Sequence, residues 1–192
     1  MQRAWRRASG LVIIVLTALS ASASVRADEF AGKWEVGGDL LSTTMDNDTT
    51  IADGLGFRLR GGYHFTKTHT AELTFDAVSS DSQDKHSNIS YDLNKIVLNY
   101  MGSFKNKKPD SKVSAFALFG IGQIKYDNGA ASDDSTVFQT GGGVRVRFTK
   151  SLAFRIDGRI WHFHGDSFII PRDGFFSFDI GAGLSWFFGK GK

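Results

Sequence analysis

From Gly32 onward, apolar and polar residues alternate with period two in segments separated by clusters of Gly, Asn, Asp, Ser, Thr and Lys, without a helical stripe. Period two sends successive side chains to opposite faces of an extended backbone, so the pattern predicts strands. Within Val137 to Phe148, one face holds Phe138, Thr140, Gly142, Val144, Val146 and Phe148, and the other Gln139, Gly141, Gly143, Arg145 and Arg147. Leu152 to Phe163 sets Leu152, Phe154, Ile156 and Ile160 against Arg155, Asp157 and Arg159. Phe175 to Phe188 sets Phe176, Phe178, Ile180, Ala182, Leu184, Trp186 and Phe188 against Ser177, Asp179 and Ser185. Leu55 to Thr66 sets Leu55, Phe57, Leu59, Tyr63 and Phe65 against Arg58, Arg60 and His64. The other predicted strands are Lys33 to Thr44, Thr70 to Ser79, Tyr91 to Phe104 and Val113 to Tyr126. In Tyr91 to Phe104, Asp92 and Asn94 share parity with Ile96, Leu98 and Tyr100, so either a bulge intervenes or those two polar residues lie beyond the apolar layer.

The connections also alternate. Asp46 to Gly54, Ser80 to Ser90, Asp127 to Thr136 and His164 to Gly174 are long, whereas Lys67 to His69 and Thr149 to Ser151 are tight. Lys105 to Lys112 is a longer turn on the short side. Pro109 and Pro171 both fall in connections, where a missing N–H harms no ladder. Each segment can cross a bilayer, since a tilted strand needs about 9–11 residues. Short turns on one rim and long loops on the other are the pattern of membrane barrels.

Alternation alone does not say which face meets solvent, because a soluble ligand-binding barrel hides its apolar face and a membrane barrel exposes it. The polar face decides for lipid. It carries Glu35, Asp39, Glu72, Asp76, Asp157 and Asp179 with Arg58, Arg60, Arg145, Arg147, Arg155 and Arg159. A balanced, arginine-rich set suits mutual pairing in a narrow lumen, since guanidinium forks onto carboxylate and offsets part of the desolvation. Aromatic residues collect near the short turns: Trp34, Tyr63, Phe65, Tyr100, Phe104, Phe116, Phe148, Phe154, Trp186 and Phe188. They form an expected interfacial girdle. The predicted fold is therefore an all-β, eight-stranded antiparallel up-and-down transmembrane β-barrel.

Residues 1–27 read as a signal peptide: Arg3, Arg6 and Arg7 precede the apolar run Leu11 to Leu19, and Val25-Arg26-Ala27 offers a cleavage site, with cleavage after Ala23 the nearby alternative. The run is too short for a spanning helix, so residues 28–192 form the expected barrel domain. Losing the signal removes Arg3, Arg6, Arg7 and Arg26 and no acid, leaving 19 basic against 20 acidic side chains. The alkaline isoelectric point thus belongs to the signal, and nucleic-acid binding is not expected. Absence of cysteine excludes disulfides and thiolate metal sites.

Ala115-Phe116-Ala117-Leu118-Phe119-Gly120-Ile121-Gly122, Gly141-Gly142-Gly143-Val144-Arg145-Val146-Arg147-Phe148 and Gly181-Ala182-Gly183-Leu184-Ser185-Trp186-Phe187-Phe188, with the signal and strand count, resemble the OmpA-like outer-membrane β-barrel family. The resemblance implies residence in the outer membrane of a Gram-negative bacterium, contact with its lipids and lipopolysaccharide, and no cofactor. It also implies recognition of a C-terminal aromatic by the barrel-assembly machinery; Phe187 and Phe188 fit, while Gly189-Lys190-Gly191-Lys192 extends past that ending. A monomer is expected.

His162 to Gly174 resembles the closing region of the PagL family of lipid A deacylases, with His162, Pro171, Asp173 and Gly174 at matching distances. The nucleophile position of that family holds His164 here, and the position of the acid that orients the histidine holds Phe176. A serine hydrolase needs a nucleophile and a held base, so no catalytic residue is assigned. Ser167, beside Asp166, lacks the spacing to replace the nucleophile. His162 and His164 could both face one metal, but no third ligand is evident. The glycine runs precede no helix, which argues against phosphate loops. An eight-stranded barrel is filled by its own side chains, so the expected role is structural or surface interaction through loops such as Asp46 to Asp53 and Asp127 to Asp134. Lipid A modification through His162 and a narrow solute channel are the alternatives.

Overall fold

The computed structural model describes residues 30–45, 51–82, 90–105, 112–164 and 174–190. The expected signal peptide and the stretches 46–50, 83–89, 106–111 and 165–173 lie outside the described residues.

Eight strands follow one another: β1 (Trp34–Thr44), β2 (Ile51–His64), β3 (His69–Ser82), β4 (Ser90–Lys105), β5 (Val113–Asp127), β6 (Ser132–Arg147), β7 (Leu152–His164) and β8 (Gly174–Phe188). Each pairs antiparallel with the next, and β1 pairs with β8 from Trp34↔Phe188 to Thr44↔Phe178, closing the barrel. Closure leaves no unpaired edge, the condition for a sheet to cross lipid.

The barrel has its apolar face outside. Leu40 and Leu55 on that face are 77% and 72% exposed, whereas Arg58 and Arg155 on the other are 0% exposed. Water would not tolerate this arrangement, and hydrocarbon requires it. Leu40 lies mid-way along the band, between Phe57 of β2 and Ala182 of β8. Leu40→Arg is expected to destabilise the inserted barrel by about 2–4 kcal/mol, measured as a shift in its urea midpoint in phospholipid vesicles. An unchanged midpoint would contradict the lipid-facing assignment.

β4 keeps continuous register with both neighbours, so no bulge explains Asp92 and Asn94; they lie on the outward face toward the long-loop end. A register irregularity occurs instead in β2 against β3, between Ile51 and Gly54.

Several predicted connections are shorter than expected. β2 already begins at Ile51, and β5 and β6 stay paired out to Asp127↔Ser132, with a turn through Gly129 at φ 78°. The expected loop Asp127 to Thr136 is therefore mostly strand. Its polar residues mimic a loop because this hairpin rises past the lipid, where outward positions face water. At the other rim the β2–β3 and β6–β7 turns are tight. Thr66 Oγ1 accepts from the N–H groups of Thr68 (3.2 Å) and His69 (2.9 Å). Thr149 Oγ1 does likewise for Ser151 (3.1 Å) and Leu152 (3.0 Å).

Candidate functional site

Inward-facing side chains fill the lumen in three layers. At the short-turn end, Gly32 N–H donates to His64 O (2.6 Å) and Lys33 N–H to Phe30 O (2.9 Å), folding the segment before β1 across the mouth. The Phe30 ring stacks on Phe187 with centroids 3.8 Å apart. The Arg145 guanidinium lies 5.2 Å from the Phe187 ring and 5.7 Å from Phe30, a cation–π arrangement.

The middle layer holds the charges. Arg58 forks onto Asp76 (2.7 and 2.8 Å) and also reaches Asp157 and Asp179, each at 3.0 Å. Arg60 forks onto Asp39 (2.7 and 2.8 Å) and donates to Glu35 and Ser185, each at 3.0 Å. Arg155 bridges Asp157 (2.8 Å) and Glu72, and Arg159 bridges the same two at 3.0 and 3.2 Å. Glu35 also accepts from Arg145 (2.9 Å) and contacts His64 Nε2 (2.9 Å), whose Nδ1 meets Thr70 Oγ1 (2.8 Å).

Six acids, Glu35, Asp39, Glu72, Asp76, Asp157 and Asp179, are buried against six cations, Arg58, Arg60, Lys95, Arg145, Arg155 and Arg159. Each carboxylate meets at least one cation, the condition under which buried charge is tolerated. Lys95 was missed by sequence reasoning. It donates to Asp179 (2.7 Å), lies 3.2 Å from Asp76 and sits over the Trp161 ring at 4.4 Å. Trp161 Nε1–H and Thr43 Oγ1–H also donate to Asp179, at 2.9 and 2.8 Å. The usable signal was parity, since Lys95 sits opposite Ile96 and Leu98. Arg147 is half-buried at the short-turn rim, 5.8 Å from the Phe30 ring.

The outer layer is apolar, contrary to a lumen polar throughout. Leu41, Ile51, Leu93, Ile124, Tyr126, Val137, Trp161 and Phe163 belong to one buried cluster, with Phe163 5.2 Å from Tyr126 and 5.4 Å from Trp161. Between charges and plug lies a cavity of 10 Å³ bounded by Lys95, Asp179, Trp161 and Ile124, room for about one water.

Phe116 corrects the expected girdle. It is buried in the lumen, with the Arg155 guanidinium 4.3 Å from its ring. β5 is apolar on both faces around it, so alternation carried no contrast there. The other girdle residues stand outward at the short-turn end. Trp34, Phe65, Tyr100, Phe104, Phe148, Trp186 and Phe188 are exposed, and Tyr63 and Phe154 are half-exposed. Trp34 packs 4.9 Å from Tyr63, and the Tyr100 hydroxyl lies 2.6 Å from His69 Nδ1.

His162 faces outward at the opposite end, paired in register with Phe138 and Phe176 and 4.7 Å from the Phe176 ring. The His164 side chain and Asp166, Ser167, Pro171 and Asp173 lie outside the described residues.

A family model described as outer membrane protein beta-barrel domain matches residues 11–188. Neisserial surface protein A aligns with TM-score 0.59 and 15% identity, covering 82% of this chain and 99% of its own. OprG from Pseudomonas aeruginosa aligns with TM-score 0.57 and 12% identity, covering 87% and 100%. Ail, the attachment invasion locus protein of Yersinia pestis, aligns with TM-score 0.50 and 15% identity, covering 82% and 99%. At such identities the likeness is one of fold. No curated protein matches the chain.

Proposed function

The chain belongs to the outer membrane protein β-barrel domain family, and from that premise we propose that it is a sealed outer-membrane scaffold whose working surface is the long-loop rim. The observation that carries the reading is the filled lumen: an aromatic cap, a neutralised charge layer and an apolar plug lie in series, with a 10 Å³ void between the last two. A barrel filled this way does not pass solutes, which leaves the outer rim as the place to act. In planar bilayers the protein should give no steady conductance. A steady single-channel current would replace this reading with the narrow channel.

Orientation can be read separately, because the chain has no cysteine. Asn128→Cys, at the tip of the β5–β6 hairpin, should react with a membrane-impermeant maleimide on intact cells. Lys67→Cys and Lys150→Cys should react only after the outer membrane is opened. The reverse labelling would turn the barrel over and defeat the proposal.

The reading is of a monomer without catalytic machinery. It is supported by His164 and Phe176 at the positions where the deacylase resemblance needs a nucleophile and an acid, and by the packing of His162 on Phe176. Release of acyl chain from lipopolysaccharide, abolished by His162→Ala, would overturn it. On the same reading the long-loop rim meets lipopolysaccharide, and β8, ending in Phe187 and Phe188, presents the signal for the barrel-assembly machinery.

A further inference from the structure

Charge outside the lumen is divided by rim. Among the described residues, the long-loop rim carries Asp53, Asp81, Asp92, Asp127 and Asp134 against Lys125 alone. The short-turn rim carries Lys33, Lys67, Lys112, Lys150 and Lys190, and its described turns contain no acid. Four of these lysines are exposed, and Lys33 is half-buried with its Nζ 5.6 Å from the Phe30 ring.

The placement of the lysines identifies the partner. They come from the segment before β1, the β2–β3, β4–β5 and β6–β7 connections and the end of β8, so they ring the barrel instead of forming one patch. Each lies within two residues of an outward apolar side chain: Trp34, Phe65, Val113, Phe148 or Phe188. An aromatic at the acyl boundary with a flexible cation just beyond it places the ammonium in the headgroup plane. A polymer or protein would contact one sector, whereas lipid surrounds the whole circumference.

We propose that this lysine ring is a docking surface for anionic phospholipid headgroups of the periplasmic leaflet, and that with the acidic opposite rim it gives the barrel a fixed electrostatic polarity across the membrane. Lysines near an anionic headgroup layer attract it additively, and salt screens the attraction. The inference rests on the short-turn rim facing the periplasm, which the cysteine labelling tests independently.

The test titrates the folded barrel, in neutral detergent micelles, with phosphatidylglycerol or phosphatidylcholine and counts bound lipids by native mass spectrometry. Phosphatidylglycerol should bind at least about tenfold more tightly, with the preference collapsing at about 0.5 M salt. A variant with Lys33, Lys67, Lys112, Lys150 and Lys190 all changed to Gln should lose the preference, while Lys125→Gln keeps it. Should the fivefold variant fail to fold, Lys67→Gln and Lys150→Gln, both in exposed turns, should each lower the preference singly. Equal affinity for the two lipids, or a preference that survives the substitutions, would overturn the proposal. So would lysine-dependent binding to isolated cell-wall sacculi without a phosphatidylglycerol preference.

Discussion

Arg58→Ala should destabilise the barrel by about 3–5 kcal/mol, enough to abolish the folded band on an unboiled gel or to shift its urea midpoint severely. Arg58 is fully buried and holds Asp76, Asp157 and Asp179 at 2.7–3.0 Å. Truncation leaves Asp76 with Lys95 at 3.2 Å, while Asp157 retains Arg155 and Arg159. Most of the loss comes from carboxylates left in a low-dielectric interior without enough positive charge, and less from the pairs themselves. Two comparisons separate these contributions. Arg58→Lys should recover only part of the stability, because an ammonium cannot fork onto Asp76 while reaching two further acids. Arg58→Met with Asp76→Leu should be more stable than Arg58→Ala alone, because an apolar replacement removes unpaired charge. A midpoint shift worth less than about 1 kcal/mol for Arg58→Ala would mean that water reaches the layer and that the lumen is not sealed.

Gly183→Val should prevent closure. Gly183 faces the lumen on β8 opposite Asp39 of β1, the pair of strands that shuts the barrel. A Cβ there would lie 1.9 Å from the Gly38 carbonyl oxygen and 2.5 Å from Asp39 Oδ1. The backbone has nowhere to go without opening the seam, and moving Asp39 takes it from Arg60, which it holds at 2.7 and 2.8 Å. The expected loss is at least about 3 kcal/mol, seen as absence of the fast-migrating folded form. Gly38→Ala is the control. That residue faces lipid, its added Cβ would come no nearer than 3.7 Å to Arg58 O, and the change should stay within about 1 kcal/mol. Equal behaviour of the two variants would show that strand pairing, and not the inward clash, governs tolerance.

Legibility was uneven along the chain for identifiable reasons. β6, β7 and β8 were readable because lipid on one side and charge on the other give adjacent positions opposite hydropathy, as in Val144, Arg145 and Val146. β5 was not, since Phe116, Leu118 and Ile124 fill the lumen while Phe119 and Ile121 face lipid, making both parities apolar. The β5–β6 hairpin was misread as loop because its outward positions, Asp127 and Asp134 among them, leave the bilayer and become polar without leaving the sheet.

The sequence by itself determined the all-β class, the number of strands, the side assigned to lipid, and the acids and arginines sharing the inner face, because a period-two backbone commits each residue to one side whatever its neighbours do. Only the tertiary structure decided which acid meets which cation, that Lys95 and Trp161 complete the charge layer, and that Phe30 and an apolar cluster stop the lumen at its two ends. Those contacts join residues as distant as Arg58 and Asp179 or Thr43 and Asp179. Their partners follow from strand stagger and barrel closure, geometric quantities that alternation along a single strand does not encode.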